Sequence, residues 1–308
     1  MSEEVRIAVI DTLGKQKLPP EAAEMMPHAN LTGWSPADTD STGIHPHGFM
    51  ASWFAGILHF PDPIEMRYYQ VFDGINATYV GQEAERSMEE DLIDFAPTDI
   101  NNSRGATWDR IKGNAAAVKE YKDQAAWWND LMERMGNPRD NWASGNDEDP
   151  DLSRNEPDDD VAAPQRFIDQ AVVVGSTDIE GVPSGFSSDG PRVDCSGWGE
   201  WRWLLEFDKW VAGSGTSFST PEVCGVRSFL GLDYLSFMER LLSDEHFGTR
   251  PIDWPLGKHH AKFGYTNLMN EWQKIFRARV PKQFWPPHRN IRSERLRWMD
   301  MTLLEDAA

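Results

Sequence analysis

Two short runs in this chain are apolar at nearly every consecutive position: VRIAVI at residues 5–10, and the AVVV that opens AVVVGST at 171–177. A short unbroken run bounded by turn residues is the pattern of a strand buried inside a sheet. Between and beyond these runs, apolar residues fall at helical spacing. In HGFMASWFAGIL, Phe49, Met50, Trp53, Phe54 and Ile57 describe a helix buried on most sides, with His47 in its first turn. EMRYYQVFDG (65–74) reads as a second strand, followed by a helix on which Ala84, Met88, Leu92 and Phe95 share a face. DINNSRGA (99–106) is extended, and 112–135 is a long helix carrying Val118, Tyr121, Ala125, Trp128, Met132 and Met135. Three more helices follow, one holding Pro221 in its first turn, one at 233–243 and one near 266–279; residues 15–46 read as irregular connection. Strand and helix alternate, so the expected architecture is α/β in three layers, with a mostly parallel central sheet and helices on both faces. In such folds functional groups collect at the carboxyl ends of the strands.

At 308 residues the chain can bury a sizeable core. Its formal charge of -20 repels phosphates, which argues against a nucleic-acid partner. The opening MSEEVRIAVID has neither a basic n-region nor an apolar h-region, and no apolar run spans a bilayer. The expectation is a cytoplasmic protein with no membrane partner. Cys195 and Cys224 have no metal-ligand spacing and suit buried, small apolar positions.

Four polar residues stand in suggestive places. Asp11 ends a buried strand, His47 starts a buried helix, Asn146 lies in the turn Ser144-Gly145-Asn146-Asp147, and Ser217 precedes an apolar helix. A serine hydroxyl attacks a carbonyl only when a base takes its proton, and histidine can do this near neutral pH. A carboxylate orients the imidazole, and an amide N–H stabilises the oxyanion. Each residue alone also has an ordinary structural reading: Ser217 as a helix cap, Asn146 as a turn residue.

Taken together, the motifs resemble those of the subtilases, the subtilisin-like serine proteases. Gly215-Thr216-Ser217-Phe218-Ser219-Thr220-Pro221 is similar to their nucleophile signature, and His47-Gly48 followed by FMASWFAG to their histidine motif. Ser144-Gly145-Asn146 resembles the turn carrying their oxyanion asparagine, and Ser103-Arg104-Gly105 the strand lining their substrate cleft. AVVVGSTD with Phe186-Ser187-Ser188-Asp189-Gly190-Pro191, and Gly264-Tyr265-Thr266-Asn267-Leu268, resemble two further stretches. The order Asp, His, Asn, Ser along the chain is also that of subtilisin.

The resemblance implies a subtilisin-like catalytic domain over residues 1–280, with a Pro/Arg-rich extension over 281–308. It implies a serine endopeptidase in which Ser217 is nucleophile, His47 general base and then acid, and Asp11 the orienting carboxylate. Asn146 would supply the oxyanion donor. Substrate, a peptide or protein, would lie extended along Ser103, Arg104 and Gly105, pairing through its backbone as an added strand, with Ser144 and Gly145 also among the binding residues. Arg104 would project near the cleft and favour acidic or polar side chains of the substrate. No cofactor is needed for this chemistry. The acidic stretch NDEDPDLSRNEPDDD (146–160) offers oxygen ligands but lacks calcium-loop spacing, so a solvated loop is the first expectation and a structural calcium ion the second. The arginines at 289, 292, 295 and 297 offer a basic helical face for the acidic body, another copy or a partner protein.

The sequence departs from the family pattern in three ways. Asp11-Thr12-Leu13-Gly14 has leucine where the acid motif carries glycine, so the aspartate loop must be rearranged if that glycine is conformationally special. RDNWAS before Asn146 is polar where a valine-rich strand is usual. With Asp11 so early, a folding pro-domain has no room in the given chain, which suggests a mature form or activation without self-cleavage. Two other readings follow: an inactive relative acting as a peptide-binding or scaffold module, and a protease or peptide ligase dedicated to one precursor.

Overall fold

A computed structural model describes residues 4–36, 44–73, 77–146, 160–178, 183–188, 190, 192–200, 202–242 and 266–286. In chain order the elements are β1 (Arg6–Asp11), α1 (Pro20–Met25), β2 (Ala29–Trp34), α2 (His47–Gly56), β3 (Ile64–Gln70), α3 (Gln82–Arg86), α4 (Glu89–Phe95) and β4 (Asp99–Asn102). There follow α5 (Trp108–Ile111), α6 (Ala115–Arg134), β5 (Arg139–Ala143), β6 (Val172–Thr177), β7 (Cys195–Trp198), β8 (Arg202–Glu206) and β9 (Lys209–Gly213). The last three are α7 (Thr216–Leu230), α8 (Tyr234–Leu242) and α9 (Thr266–Arg279).

Seven strands form one parallel sheet in the order β2-β3-β1-β4-β5-β6-β7, and β8 and β9 form a separate antiparallel hairpin. The apolar runs are explained by burial on both faces. In β1, Ile7 and Val9 join a core with α2, α7 and α9, whereas Ala8 and Ile10 join a second core with α4 and α6. In β6, Val172 and Val174 face the first core and Val173 the second. This is the three-layer α/β fold expected from the sequence.

Several elements differ from the sequence reading. β2 and α1 lie inside the stretch read as irregular, and their short, mixed patterns of buried and exposed positions give little periodic signal. The polar segment RDNWA is strand β5, buried from Asp140 to Ala143. Its polar groups are satisfied internally: Asp140 accepts from Trp128 Nε1 at 2.8 Å, Trp142 Nε1 at 2.7 Å and Asn102 Nδ2 at 3.0 Å. β7 and the β8–β9 hairpin were not anticipated. The helix expected over 84–95 is two helices, α3 and α4, and the long one begins at Ala115 after the short α5.

Residues 281–286 do not start a separate unit. Phe284 is buried in the first core, against Phe60, and Trp285 Nε1 donates to Val280 O at 2.8 Å. The packed body therefore runs past the expected boundary at 280; the arginine-rich residues beyond 286 lie outside the described residues, as do 147–159 of the acidic stretch, Asp189, Pro191, Gly264 and Tyr265. Cys195 and Cys224 are free and buried, and burial pushes both thiols up. Among the described residues, no helix is long and apolar enough to cross a membrane.

Candidate active site

β1 is flanked by β3 on one side and β4 on the other, so chain order reverses at β1. Such a switch opens a crevice at the carboxyl ends of the strands. Asp11 ends β1, Ser103 follows β4, Ser144 follows β5, and the amino end of α7 brings in Ser217.

Asp11 is buried and receives His47 Nδ1 with both carboxylate oxygens, at 2.8 and 2.9 Å. His47 opens α2, and Gly48 beside it leaves room for the carboxylate: a Cβ there would lie 3.2 Å from Asp11 Cβ. The Thr12 hydroxyl donates to His45 O at 3.1 Å and accepts from Gly48 N at 3.1 Å, tying the acid loop to the turn before α2. Leu13 is fully buried in the first core and is not among the residues with positive φ. The loop thus takes a leucine without backbone strain, and Asp11 still meets His47. The tight approach moves one residue on, to Gly14, where a Cβ would sit 2.3 Å from Trp34 O.

The His47 side chain is 24% exposed. Burial works against its charged form, but the negative charge of Asp11 and the hydrogen bond to it prevail, so its pKa lies above the usual histidine value. On its flank the Phe218 ring stands 5.2 Å away. His45 accepts from His47 N through Nδ1 at 3.3 Å, and burial, with His47 nearby, lowers its pKa.

Pro221 is not in the first turn of α7, as the sequence suggested, but inside the helix. It has no N–H for the carbonyl four residues earlier, which belongs to Ser217. That carbonyl instead accepts from Ser103 Oγ at 3.0 Å, so the β4 segment holds the backbone of the candidate nucleophile. Ser217 is half-buried, and among the described residues no hydrogen bond joins its Oγ to His47 Nε2. α7 packs on α2, and Phe218, the residue after Ser217, lies against the His47 ring. At Gly225 a Cβ would come within 2.8 Å of Phe54 O, so only glycine lets the two helices approach this closely.

Asn146 is exposed, and its Oδ1 accepts from both Thr216 N and Thr216 Oγ1 at 2.9 Å. Because the backbone N–H can only donate, the amide oxygen must face Thr216. This leaves Nδ2 as a donor beside the start of α7. Gly145 has φ +121°, and a Cβ there would lie 2.8 Å from Ser188 Oγ. Ser144 is fully buried, donating to Ser188 O at 2.9 Å, so its side chain supports the turn and is not offered to a substrate.

Arg104 corrects another expectation. It does not project as a free cation into the cleft. Its guanidinium is buried, pairs with buried Glu85 at 2.5 Å, donates to Asn102 Oδ1 at 3.2 Å, and lies 4.7 Å from the Trp142 ring centre. Glu85 also accepts from Gln124 Nε2 at 2.6 Å and from the Tyr79 hydroxyl. A compensated arginine gives no reason for an acidic substrate preference. With Gly105, Tyr79, Tyr121 and Gln124 it borders a cavity of about 90 Å³.

Gln165 was missed by sequence reasoning. Its Nε2 donates to Arg104 O at 3.2 Å and to Ala143 O at 2.7 Å, clasping the two walls of the cleft, and Gly105 makes room for it. Nothing local marks Gln165, because its role depends on two strands distant in sequence. Ala106 is already paired with Ala163, so the open edge of this wall is limited to Ser103–Gly105. Among the described residues, no cluster of three or more His, Cys, Asp or Glu is placed to hold a metal ion.

A family model described as "Subtilase family" matches residues 75–231. The fold is similar to a cold-adapted subtilisin-like serine proteinase, with a TM-score of 0.58 and 18% identity over 86% of this chain and 89% of that one. It is likewise similar to the prenylagaramide maturation protease PagA, with a TM-score of 0.59 and 19% identity over 88% and 94%. For the patellamide maturation protease PatA the values are 0.58 and 19%, over 89% and 97%. Comparison with curated protein sequences finds no match.

Proposed function

The chain belongs to the subtilase family, and on that premise we propose that it is a serine endopeptidase. The observation carrying this reading is the Asp11–His47 pair beside the amino end of α7. Ser217 Oγ attacks the scissile carbonyl as His47 takes its proton; Asp11 holds Nδ1 protonated, leaving Nε2 as the base. The oxyanion is met by Asn146 Nδ2 and the Ser217 N–H, a first-turn amide that needs no helical partner. His47 then protonates the leaving amine, and water resolves the acyl-enzyme. The remaining gap between Ser217 Oγ and imidazole closes when substrate seats in the cleft, since catalytic hydrogen bonds commonly tighten only in the complex.

Labelling by a serine-directed phosphonate tests this directly: the native chain is labelled and Ser217→Ala is not. Labelling that survives the substitution assigns the reactive serine elsewhere. Asn146→Ala should lower kcat by roughly 10²–10³-fold with little change in KM, the scale set by loss of one oxyanion donor in subtilisin. A loss confined to KM would remove Asn146 from the transition state.

The pH profile follows from His47. The base must be neutral, so kcat/KM should rise with pH through a value above that of ordinary histidine. Asp11→Asn leaves burial unopposed, so the acid limb moves down while activity falls by about 10⁴-fold. The stability sign is separate: with the folded-state pKa raised, protonated His47 stabilises the fold below the unfolded-state value, and this is lost as pH rises through the folded one. An acid limb unmoved by Asp11→Asn would break the assignment.

The narrower reading is a protease dedicated to precursor processing. It is favoured by similarity of fold to the maturation proteases PagA and PatA and to a lanthipeptide protease, the last with a TM-score of 0.54. The inactive-relative reading rested on Leu13. That support weakens where the loop carries leucine and still sets Asp11 on His47.

A further inference from the structure

The loop that leaves Asp11 runs through Lys15, Lys17 and Leu18 to α1 and forms one wall of a groove of about 620 Å³. The other wall is β2, the edge strand of the seven-stranded sheet. Ile64 N–H donates to His28 O, so the alternation of a parallel ladder turns the backbone groups of Asn30 and Thr32 toward β3. Those of Leu31, and the carbonyl of Ala29, turn to the open edge. None of the described residues takes up the Leu31 N–H, and Gly14 closes the end of the groove against Gly33. An unpaired strand edge beside a groove of this size is a template for an added strand.

Charge indicates what kind of strand. In a chain of net charge -20, this groove is lined by two exposed lysines and by no acidic residue. Neither lysine forms an ion pair among the described residues. The net charge of the chain repels acidic segments overall, whereas the lining of this groove attracts them.

We propose that the β2 edge groove is an exosite that binds an acidic, extended segment of the peptide substrate, at a distance in sequence from the bond to be cut. The segment pairs through its backbone with Ala29 and Leu31 while its carboxylates meet Lys15 and Lys17. Calling this peptide a substrate rests on the protease reading above; the binding itself does not. Such an exosite gives selectivity for one precursor without demands on the residues at the scissile bond, because a second attachment raises the local concentration of the first.

The test uses the full chain carrying Ser217→Ala, so that binding is measured without cleavage. The probe is a short fluorescein-labelled peptide alternating glutamate and valine, followed by anisotropy. Binding should weaken about tenfold or more with Lys15→Glu/Lys17→Glu, with a lysine-for-glutamate probe, and with a probe N-methylated on alternate amides, and should fall as salt rises. In the active chain, the double variant should raise KM for a substrate bearing the acidic segment and leave turnover of a short peptide amide lacking it unchanged. Equal binding by native and double variant overturns the proposal, as does indifference to probe charge or to N-methylation. Concentration-dependent self-association abolished by the double variant also overturns it, by assigning the groove to a second copy. Probe binding that behaves as expected in a chain without peptidase activity would defeat the protease reading and leave the groove standing.

Discussion

Ser217→Ala should lower kcat for peptide hydrolysis by about 10⁶-fold and leave thermal stability nearly unchanged. The two halves of this expectation come from different atoms. The hydroxyl is the proposed nucleophile, yet it makes no hydrogen bond to a described residue whose loss would cost stability. The structural contact at this position belongs to the backbone carbonyl, which accepts from Ser103 Oγ and survives truncation of the side chain. The same expectation extends to the other members of the proposed triad. His47→Ala should cost about as much as Ser217→Ala, and the double variant little more, since residues that act as a unit are not additive. Kinetics of the two single variants and the double on one peptide substrate, with urea unfolding in parallel, check both halves. If Ser217→Ala retains turnover within tenfold of the native chain, serine catalysis at this site is wrong.

Arg104→Ala should destabilise the fold by about 3–5 kcal/mol, because it strands Glu85 as an unpaired buried charge. The two side chains are 4% and 1% exposed, so water cannot replace the missing partner. Glu85 would keep Tyr79 and Gln124, which hydrogen-bond to it without neutralising it. Removing both charges tells the cost of a broken pair from the worth of an intact one. Arg104→Leu combined with Glu85→Gln should recover most of the loss, since buried pairs replaced by neutral, packed groups are often close to neutral in stability. Urea unfolding of the two single variants and the double gives the cycle. Losses that simply add would mean that the pair is not coupled and that Arg104 is held mainly by Trp142 and Trp128. The cavity beside Arg104 and Gly105 should change shape in these variants, so a change in substrate preference without loss of kcat on the best substrate is expected alongside.

Leu13 and Arg104 show where local reasoning misleads in opposite directions. Leucine in the acid loop looked like a threat to the triad, but the threat depended on a backbone conformation that the loop does not adopt. Arginine in the cleft strand looked like a specificity determinant, but its partner, Glu85, lies on α3, whose proximity to β4 no local pattern announces. Pro221 is a third case. Its position suggested a harmless first-turn proline, whereas inside α7 it frees the Ser217 carbonyl for Ser103.

The amino-acid sequence by itself determined the buried strands β1 and β6, the apolar helix after His47 and the α/β alternation, because these depend on periodicities that a linear chain displays. It also displayed the candidate residues Asp11, His47, Asn146 and Ser217, whose neighbours form recognisable short motifs. What only the tertiary structure decided was which side chains meet: Asp11 with His47, Asn146 with Thr216, Gln165 with both cleft walls, Arg104 with Glu85. It also decided the edge position of β2, and with it the groove. Those partners are 19 to 70 residues apart, and hydrogen bonds and ion pairs act over a few ångströms of space, so their pairing appears only once the sheet has set the strands side by side.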